Sequence, residues 1–402
     1  MKVNYMISTA AVLAALLTFS CTKDLQENAP VFEKDSDKVT LLIAADEVTK
    51  TTFGVNGYEV KWENDDKIGI FIASSSTNVP ASLKRIEGKA YFAAEVSNYN
   101  TGDQLCAYYP YAAANDKAEA SKVTLKVPYI QTQTAPDKFD GSNNPMIAVP
   151  MSLPDAGTTV NNPLKFRHIG AVLEFDITGV PATEKLKSVQ FVSSKGFPAT
   201  DNSIYNLTSV TENGDVNTVA GTYYKSVTVS LQGDGFTPGQ STKVYMTLVP
   251  GTYNGNIYIS TDKNLYRYSD KTIDADRAVV KTIKADLSSG SADNSKEIKS
   301  ALDYEVFAMA ANAGDYSAWV DGAGEVKLGA DISTTTYFTR IQKDWTGKFN
   351  GQNHTIKQDA SVVPLFTVID EKASVSRLVL EGNKKSMANA GGYGSAAVAQ
   401  IN

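Results

Sequence analysis

The side chains that most often carry out covalent or metal chemistry are few in this sequence. It has two cysteines, Cys21 and Cys106, and two histidines, His168 and His354. It contains no G-x-S-x-G nucleophile turn and no H-E-x-x-H metal motif. Cys106 and His168 fall in segments that we interpret as separate domains, so they make no catalytic pair. We therefore predict that the protein is not an enzyme and uses no cofactor or metal, although carboxylate pairs of the glycosidase type stay open.

Three carboxylates close together could serve as ligands for a hard cation. They are Glu63, Asp65 and Asp66, and carboxylate oxygens are the ligands that calcium prefers. Their spacing matches no D-x-[DN]-x-[DN]-G loop, which favours a solvated turn over a metal site. His168 lies beside an alternating strand with no cysteine or second histidine nearby, so we interpret it as a hydrogen-bonded strand residue. We interpret His354 as a residue at a chain corner.

Cys21 is the residue for which we predict a chemical modification. Lys2 supplies a basic start, and residues 7–19 are apolar apart from one serine and two threonines. This pattern is typical of a secretory signal peptide, and the apolar run is too short to cross a hydrocarbon core of roughly 30 Å. Ser20 directly precedes Cys21, and this junction resembles a bacterial lipobox, in which the cysteine is acylated and becomes the first mature residue.

The lipobox resemblance implies a membrane anchor made of acyl chains such as palmitate. Each buried CH₂ group of such a chain contributes about 0.8 kcal/mol to membrane binding. The polar residues 22–27 resemble the export tags that direct lipoproteins to the outer face of the outer membrane. We predict a signal peptide at residues 1–20, a polar tether at residues 21–37, and a lipid-anchored position on the cell surface.

The overall charge restricts the partners of the chain. The formal net charge is −6, and no patch rich in lysine and arginine is present. These features argue against binding to nucleic acid or to anionic lipid through electrostatic attraction. If Cys21 is acylated, Cys106 has no partner for an intramolecular disulfide, and we predict that it is a small buried hydrophobe.

Alternation of apolar and polar residues dominates from Lys38 to residue 288. Three isoleucines share one face of residues 67–72, and Ala171, Leu173, Phe175 and Ile177 share a face further on. Clusters of glycine, asparagine, aspartate and proline separate these runs, as in antiparallel sandwiches. The length predicts two β-sandwich domains, at residues 38–160 and 161–288.

Five short segments in this region together resemble the fimbrillin family of lipoprotein pilins and pilus-associated adhesins. They are Thr49 to Phe53, Val60 to Phe71 around Trp62, Tyr108 to Tyr111, Phe166 to Phe175, and Val249 to Tyr253. The resemblance covers residues 38–288 and implies two transthyretin-like antiparallel β-sandwich domains with a boundary near residues 155–166. We interpret Trp62 as a core aromatic rather than a ligand platform.

The family resemblance also implies a mode of assembly. Polymerising fimbrillins join by donor-strand exchange, in which an added strand fills a groove of the neighbouring subunit. A protease first removes an N-terminal segment, commonly after an arginine. The corresponding region offers Lys50 and no arginine. This departure, together with the long C-terminal extension, favours a tip or stand-alone subunit over a shaft subunit, with Lys50 as the candidate processing site.

The pattern changes after a predicted linker at residues 289–295. Asn294 and Glu297 have capping-box spacing, and apolar residues at helical spacing follow until Gly314. Beyond the helix, strand-like clusters recur every 20–27 residues, as in a parallel β-solenoid. Gly347, Phe349, Gly351 and Ile356 resemble the repeated turn of right-handed β-helix adhesin domains.

These features predict that residues 296–402 form a helix followed by a partial β-helix. We expect the helix to cover the open end of the solenoid, whose strand edges would otherwise invite aggregation. The segment around Tyr393 resembles the start of a further rung, so we expect the sequence to be incomplete at Asn402.

Three classes of function compete at this level. The first is a fimbrial tip or accessory subunit or adhesin that binds a host or cell-surface ligand. The second is a surface glycan-binding lipoprotein for nutrient capture, in which Trp319, Trp345 and Tyr393 would stack on sugar rings unless they pack in the core. The third is a polysaccharide-processing β-helix enzyme, which the scarcity of catalytic motifs disfavours. We predict the first class.

Overall fold

Strands account for most of the structure. The computed structural model describes residues 38–45, 52–53, 58–59, 62–72, 75–97, 99–200, 203–211, 223–288, 290, 292–335, 338–358, 364–382 and 398–401. This part of the chain contains a single α-helix, so the predicted mainly-β class is confirmed. None of its helices is long and apolar enough to span a membrane.

The N-terminal region is built on one mostly antiparallel sheet. Its strands are β1 (Lys38–Ala44), β2 (Thr52–Phe53), β3 (Tyr58–Glu59), β4 (Lys67–Ile72), β5 (Ser75–Ile86), β6 (Lys89–Ser97), β7 (Gln104–Tyr109), β8 (Val123–Thr124), β9 (Ile130–Gln133), β10 (Met146–Ala148), β11 (Met151–Ser152) and β12 (Phe166–His168). The sheet order is β1-β6-β5-β4-β7-β10-β12, with β11 also on β7. Strands β2 and β3 form a separate hairpin.

Both faces of this sheet are covered. Ile68, Ile70 and Ile72 of β4 pack with Trp62 in one core, as the alternation predicted. Trp62 is 3% exposed and meets the rings of Phe92, Tyr109 and Phe166 edge-on, so its predicted core role is confirmed. Phe71, Cys106 and Tyr108 face a second core, which is completed by residues 123–127 and 205–207.

The second region is a two-layer sandwich. Its strands are β13 (Ala171–Thr178), β14 (Leu186–Pro198), β15 (Ile204–Tyr205), β16 (Tyr223–Leu231), β17 (Ser241–Leu248), β18 (Gly251–Thr261), β19 (Leu265–Ala275) and β20 (Val280–Asp286). One sheet has the order β17-β13-β20, and the other has the order β19-β18-β14-β16-β9. Ala171, Leu173, Phe175 and Ile177 all face the core between the sheets, as predicted.

The segment after β8 crosses from the first region to the second. Strand β9 lies inside the range predicted for the N-terminal sandwich, yet it pairs in parallel with β16 of the second. Strand β8 likewise pairs with β15. The two regions are therefore joined by strand pairing and not only by the chain between them. We call residues 130–142 the crossover segment.

Side chains of the crossover segment close one edge of the second sandwich. Gln131 accepts a hydrogen bond from the Thr247 backbone N–H (2.9 Å) and donates one to the Thr247 carbonyl (2.7 Å). Gln133 accepts from the Tyr245 N–H (2.9 Å) and donates to the Lys243 carbonyl (2.9 Å). These contacts satisfy backbone groups on the edge of β17 that a neighbouring strand would otherwise bind.

The C-terminal region consists of one helix and short parallel strands, of which the first precedes the helix and the others follow it. Its elements are β21 (Glu297–Ile298), α1 (Ala301–Ala313), β22 (Glu325–Leu328), β23 (Ile332–Thr334), β24 (Lys348–Asn350), β25 (Thr355–Gln358), β26 (Phe366–Ile369), β27 (Ser374–Ser376), β28 (Val379–Gly382) and β29 (Val398–Ile401). Three parallel sheets have the orders β21-β22-β24-β27, β23-β25-β28 and β26-β29. Phe349 and Ile356 are fully buried.

The start of the helix differs from the prediction. Helix α1 begins at Ala301, and its N-cap is Ser300, whose side chain accepts a hydrogen bond from the Asp303 N–H. The predicted capping box at Asn294 and Glu297 is wrong, because Glu297 instead pairs with Lys327 in a parallel sheet. The predicted end is right: Gly314 adopts a left-handed conformation (φ 89°) and its N–H caps the last turn.

Helix α1 packs against the second sandwich as well as against the parallel strands. Val192, Tyr258 and Leu265 of the five-stranded sheet share one core with α1 and the C-terminal strands. At this contact the Arg267 guanidinium lies 2.8 Å from the Asp303 carboxylate, and both side chains are buried. The backbone of Asp293 also pairs with Arg267, so part of the predicted linker is held on β19.

Candidate functional site

An open cleft of about 540 Å³ lies beside the N-terminal sheet. One wall is the turn between Trp62 and β4, which we call the acidic turn (residues 63–66), and a second is the chain at the end of β7. The crossover segment supplies the third wall. The lining residues are Glu63, Asp65, Asp66, Lys67, Tyr109, Pro110, Tyr111, Thr134, Lys138, Phe139, Asp140, Gly141 and Ser142.

Hydrogen bonds to the Asp66 carboxylate hold the acidic turn in place. The Asp66 carboxylate accepts hydrogen bonds from the Glu63 backbone N–H (2.7 Å) and from the Tyr109 hydroxyl (2.7 Å). Tyr109 is buried under the turn, and this burial, together with the nearby charge of Asp66, raises the pKa of its phenol far above the usual range. Tyr109 therefore remains a hydrogen-bond donor at any physiological pH and fixes the carboxylate of Asp66.

The wall formed by the crossover segment is also anchored. The Lys138 ammonium lies 3.0 Å from the Glu63 carboxylate, a contact that raises the pKa of Lys138. Asp140 is the N-cap of a short 3₁₀ turn (Gly141–Asn143) and accepts hydrogen bonds from the N–H and the hydroxyl of Ser142. Phe139 contacts the Tyr245 ring edge-on at 5.8 Å between centroids. The cleft is thus preformed by contacts to both regions of the chain.

The acidic turn has the exposure expected of a solvated turn. Glu63 and Asp65 are exposed and Asp66 is half-buried. Within the residues that the structure describes, no group of three or more histidine, cysteine, aspartate or glutamate side chains is arranged to hold a metal ion. The exposure of Glu63 and Asp65 agrees with the solvated turn that the sequence favoured.

The sequence of residues 49–298 matches the model of the fimbrillin-like family. The chain belongs to the fimbrillin-like family. The match runs from β2 to β21 and includes the acidic turn and the crossover segment, and the recognition made from short segments is confirmed. No curated protein matches the sequence.

Solved structures to which this chain is similar include proteins described as fimbrial or cell-adhesion proteins. A proposed cell adhesion protein of Bacteroides uniformis is 14% identical, with 64% of this chain and 94% of the other covered and a TM-score of 0.40. One from Bacteroides ovatus is 12% identical, with coverages of 65% and 95% and a TM-score of 0.42. The tip fimbrial protein Mfa3 of Porphyromonas gingivalis is 13% identical, with coverages of 57% and 80% and a TM-score of 0.27.

Two aromatic residues proposed as ligand contacts lie beyond the fimbrillin-like range, in the core of the C-terminal region. Trp319 and Trp345 are each 1% exposed and pack around Phe307. Their ligand-contact role is corrected, because a ring needs an exposed face to stack on a sugar. Tyr393, the predicted anchor Cys21 and the candidate processing site Lys50 lie outside the described residues.

The remaining candidate residues are His168, His354 and Cys106, and each of them has a definite place in the fold. His168, in the fimbrillin-like range, is buried on β12. His354 is partly exposed, with Nδ1 3.2 Å from the Asp331 carboxylate at a corner between strands, as expected. Cys106 is 2% exposed, and burial raises the pKa of its thiol to about 11, which confirms a small buried hydrophobe.

Sequence reasoning missed the cleft of this fimbrillin-like chain. Residues 140–145 form one of the clusters of glycine, asparagine, aspartate and proline that predict turns, and this prediction passes over Lys138, Phe139 and Asp140, which place a cation, an aromatic ring and a carboxylate close together. This local cluster was the feature of the sequence that could have indicated the cleft. Its partners, Glu63 and Tyr109, lie far away in sequence, so the cleft becomes visible only when β4, β7 and the crossover segment are brought together.

Proposed function

We propose that this protein is a fimbrial tip or accessory subunit, or an adhesin, held at the outer membrane through acylated Cys21 and binding a host or cell-surface ligand. The observation that carries the proposal is membership of the fimbrillin-like family over residues 49–298. This membership implies a location on the cell surface or in a fimbrium. A non-enzymatic structural role follows from the same assignment.

The finer architecture that we propose is two transthyretin-like sandwiches followed by a helix-capped partial β-solenoid. The two-layer packing of β13 to β20 supports the sandwich assignment. Ile332, Ile356 and Leu380 support the solenoid, because they pair in parallel register at intervals of 24 residues and the first two are buried. The inward side chains of successive strands would then form one stack.

The position within a fimbrium follows from two departures from polymerising fimbrillins. The region where an arginine is commonly cleaved has Lys50, and more than 100 residues follow the fimbrillin-like range. A C-terminal region of this size occupies the place of a donor strand. We therefore propose a tip, accessory or stand-alone role, with other fimbrial subunits as partners through strand addition.

Replacing Cys21 with serine tests the proposed anchor. Acylation requires the thiol, so Cys21→Ser should abolish outer-membrane retention and leave an uncleaved or soluble form, measured by cell fractionation and by mass spectrometry of the mature N-terminus. Cys106→Ala is the matched control, because its thiol is buried and it should keep the wild-type distribution. Membrane retention of the Cys21→Ser protein would refute the lipid anchor.

A surface glycan-binding protein is the second candidate function. The preformed cleft favours it over a purely structural subunit, because 540 Å³ lies within the size range of small-molecule sites, about 300–1,000 Å³. The two roles are compatible, since an adhesin can recognise its target through a glycan.

A further inference from the structure

We propose that the cleft between the acidic turn and the crossover segment binds a neutral saccharide. This inference deepens the proposed function and rests on it for its biological setting, while the binding chemistry is a property of the cleft itself. Nothing in the C-terminal region is needed for it. The ligand class follows from the charges, the fixed geometry and the apolar surface of the lining.

Charge is the first argument. Glu63, Asp65, Asp66 and Asp140 line the cleft together with Lys67 and Lys138. The lining is net negative, which disfavours an anionic ligand. Lys67 and Lys138 offset part of this charge, and Lys138 is already paired with Glu63, which reduces the attraction for a multivalent cation. A neutral polyol fits this mixture, because its hydroxyls can donate to the carboxylates and accept from the ammonium groups.

Preorganisation is the second argument. The Lys138 ammonium and the exposed Glu63 carboxylate are 3.0 Å apart, so the cleft offers a ligand a donor and an acceptor side by side. Asp66 is fixed by the Tyr109 hydroxyl, and Asp140 is fixed by Ser142. Polar groups that are already oriented lose little further freedom when a ligand binds, which favours affinity for a small polar molecule.

Apolar surface is the third argument. Pro110, Tyr111 and Phe139 line the same cleft, and both aromatic side chains are half-buried. The Tyr111 hydroxyl donates to Asp116 at 2.9 Å, and Phe139 packs on Tyr245, so both rings are held in place. A sugar has apolar C–H faces as well as hydroxyl edges, and this combination matches a cleft with both kinds of surface.

The test uses the chain from residue 22 onward, produced without the signal peptide and Cys21, on an array of neutral, sialylated, sulfated and amino-sugar oligosaccharides. Binding to neutral glycans is the expected result, followed by titration calorimetry with those glycans. The double variant Asp65→Ala/Lys138→Ala should weaken this binding by about tenfold or more. Both side chains are exposed, so circular dichroism should show an unchanged fold. Asp234→Ala removes an exposed carboxylate outside the cleft and should change the affinity by less than about twofold.

Three outcomes would overturn the proposal. Equal binding by the double variant would place the glycan site elsewhere, and selective binding of charged glycans would refute the neutral class. Failure to bind any neutral glycan would refute the cleft as a saccharide site. Membrane fractionation and fimbrial co-purification would still test the surface role separately, because neither depends on the cleft.

Discussion

Gln131 and Gln133 occupy a place where a backbone strand would normally lie. Each primary amide binds one backbone N–H through its oxygen and one backbone C=O through its nitrogen, as a residue of a neighbouring strand would. Both side chains are 2% exposed, and together they bind backbone groups of Lys243, Tyr245 and Thr247. An unpaired strand edge is a template for association with other chains, so this arrangement protects the edge of β17.

We predict that Gln131→Leu lowers the free energy of unfolding by about 3 kcal/mol. The substitution keeps a similar side-chain volume but leaves the N–H and C=O of Thr247 buried without their present partners, and each such loss costs about 1–3 kcal/mol. Thr132→Val, on the exposed face of the same strand, is the control and should change stability by less than about 0.5 kcal/mol. Urea unfolding followed by far-UV circular dichroism measures both, and equal stability of the two variants would contradict the prediction.

The short parallel strands depend on close contact between successive turns of chain. The Gly351 N–H donates to the Ser376 carbonyl at 2.8 Å, and a Cβ at Gly351 would lie 2.5 Å from the Arg377 carbonyl oxygen. Backbone atoms cannot move aside as the end of a side chain can. Glycine is therefore required at this position because the backbone around Arg377 lies too close for a Cβ, and not because the residue needs an unusual backbone conformation.

Gly351→Ala should loosen the C-terminal strands. We expect a loss of about 2 kcal/mol, typical of overpacking, and hence roughly thirtyfold faster hydrogen exchange, under conditions where exchange reports the opening equilibrium, in peptides that cover β24 to β28. The matched control is Gly322→Ala, since a Cβ there meets no atom within 4 Å and exchange should stay as in the wild type. Exchange mass spectrometry makes the comparison, and identical protection in the two variants would refute the packing argument.

Elements with a clear two-residue period were predictable, and those that depend on distant partners were not. The inward faces of β4 and β13 follow from alternation alone, and Gly314 follows from the need for a left-handed residue after a helix. The helix start was misplaced because Ile298 fits helical spacing but lies in a strand stabilised by β22. Strand β9 joined the second sandwich through pairing with β16, which no local pattern reveals.

At the scale of the whole chain, the contact between α1 and the five-stranded sheet decides how the C-terminal region behaves. Arg267 pairs with buried Asp303, and Asp303 also accepts a hydrogen bond from Tyr258 at 2.6 Å. Removing one partner from such a buried group costs several kcal/mol, typically about 3–5. The C-terminal region is therefore docked on the second sandwich, which is why binding experiments should use the intact chain.

We predict that limited proteolysis cuts the chain between residues 288 and 292 without separating the fragments. Residue 290 is exposed, whereas Asp293 is already paired with β19. Two fragments should appear on a denaturing gel, but the elution volume in size-exclusion chromatography should stay unchanged, because the shared core around Tyr258 holds them together. First cleavage within residues 171–178 would contradict the proposed boundary, and separate elution would contradict the docking.

The parallel pairing of β13 with β20 has a mechanical consequence. These are the first and last long strands of the second sandwich, and they are paired in register from Val172 opposite Val280 to Thr178 opposite Asp286. Tension that pulls the start of β13 and the end of β20 in opposite directions runs along the strands, so it loads all the hydrogen bonds between them at once instead of opening them one after another. A sandwich connected in this way resists stretching in shear, a property that would serve the fimbrial or adhesive role proposed above.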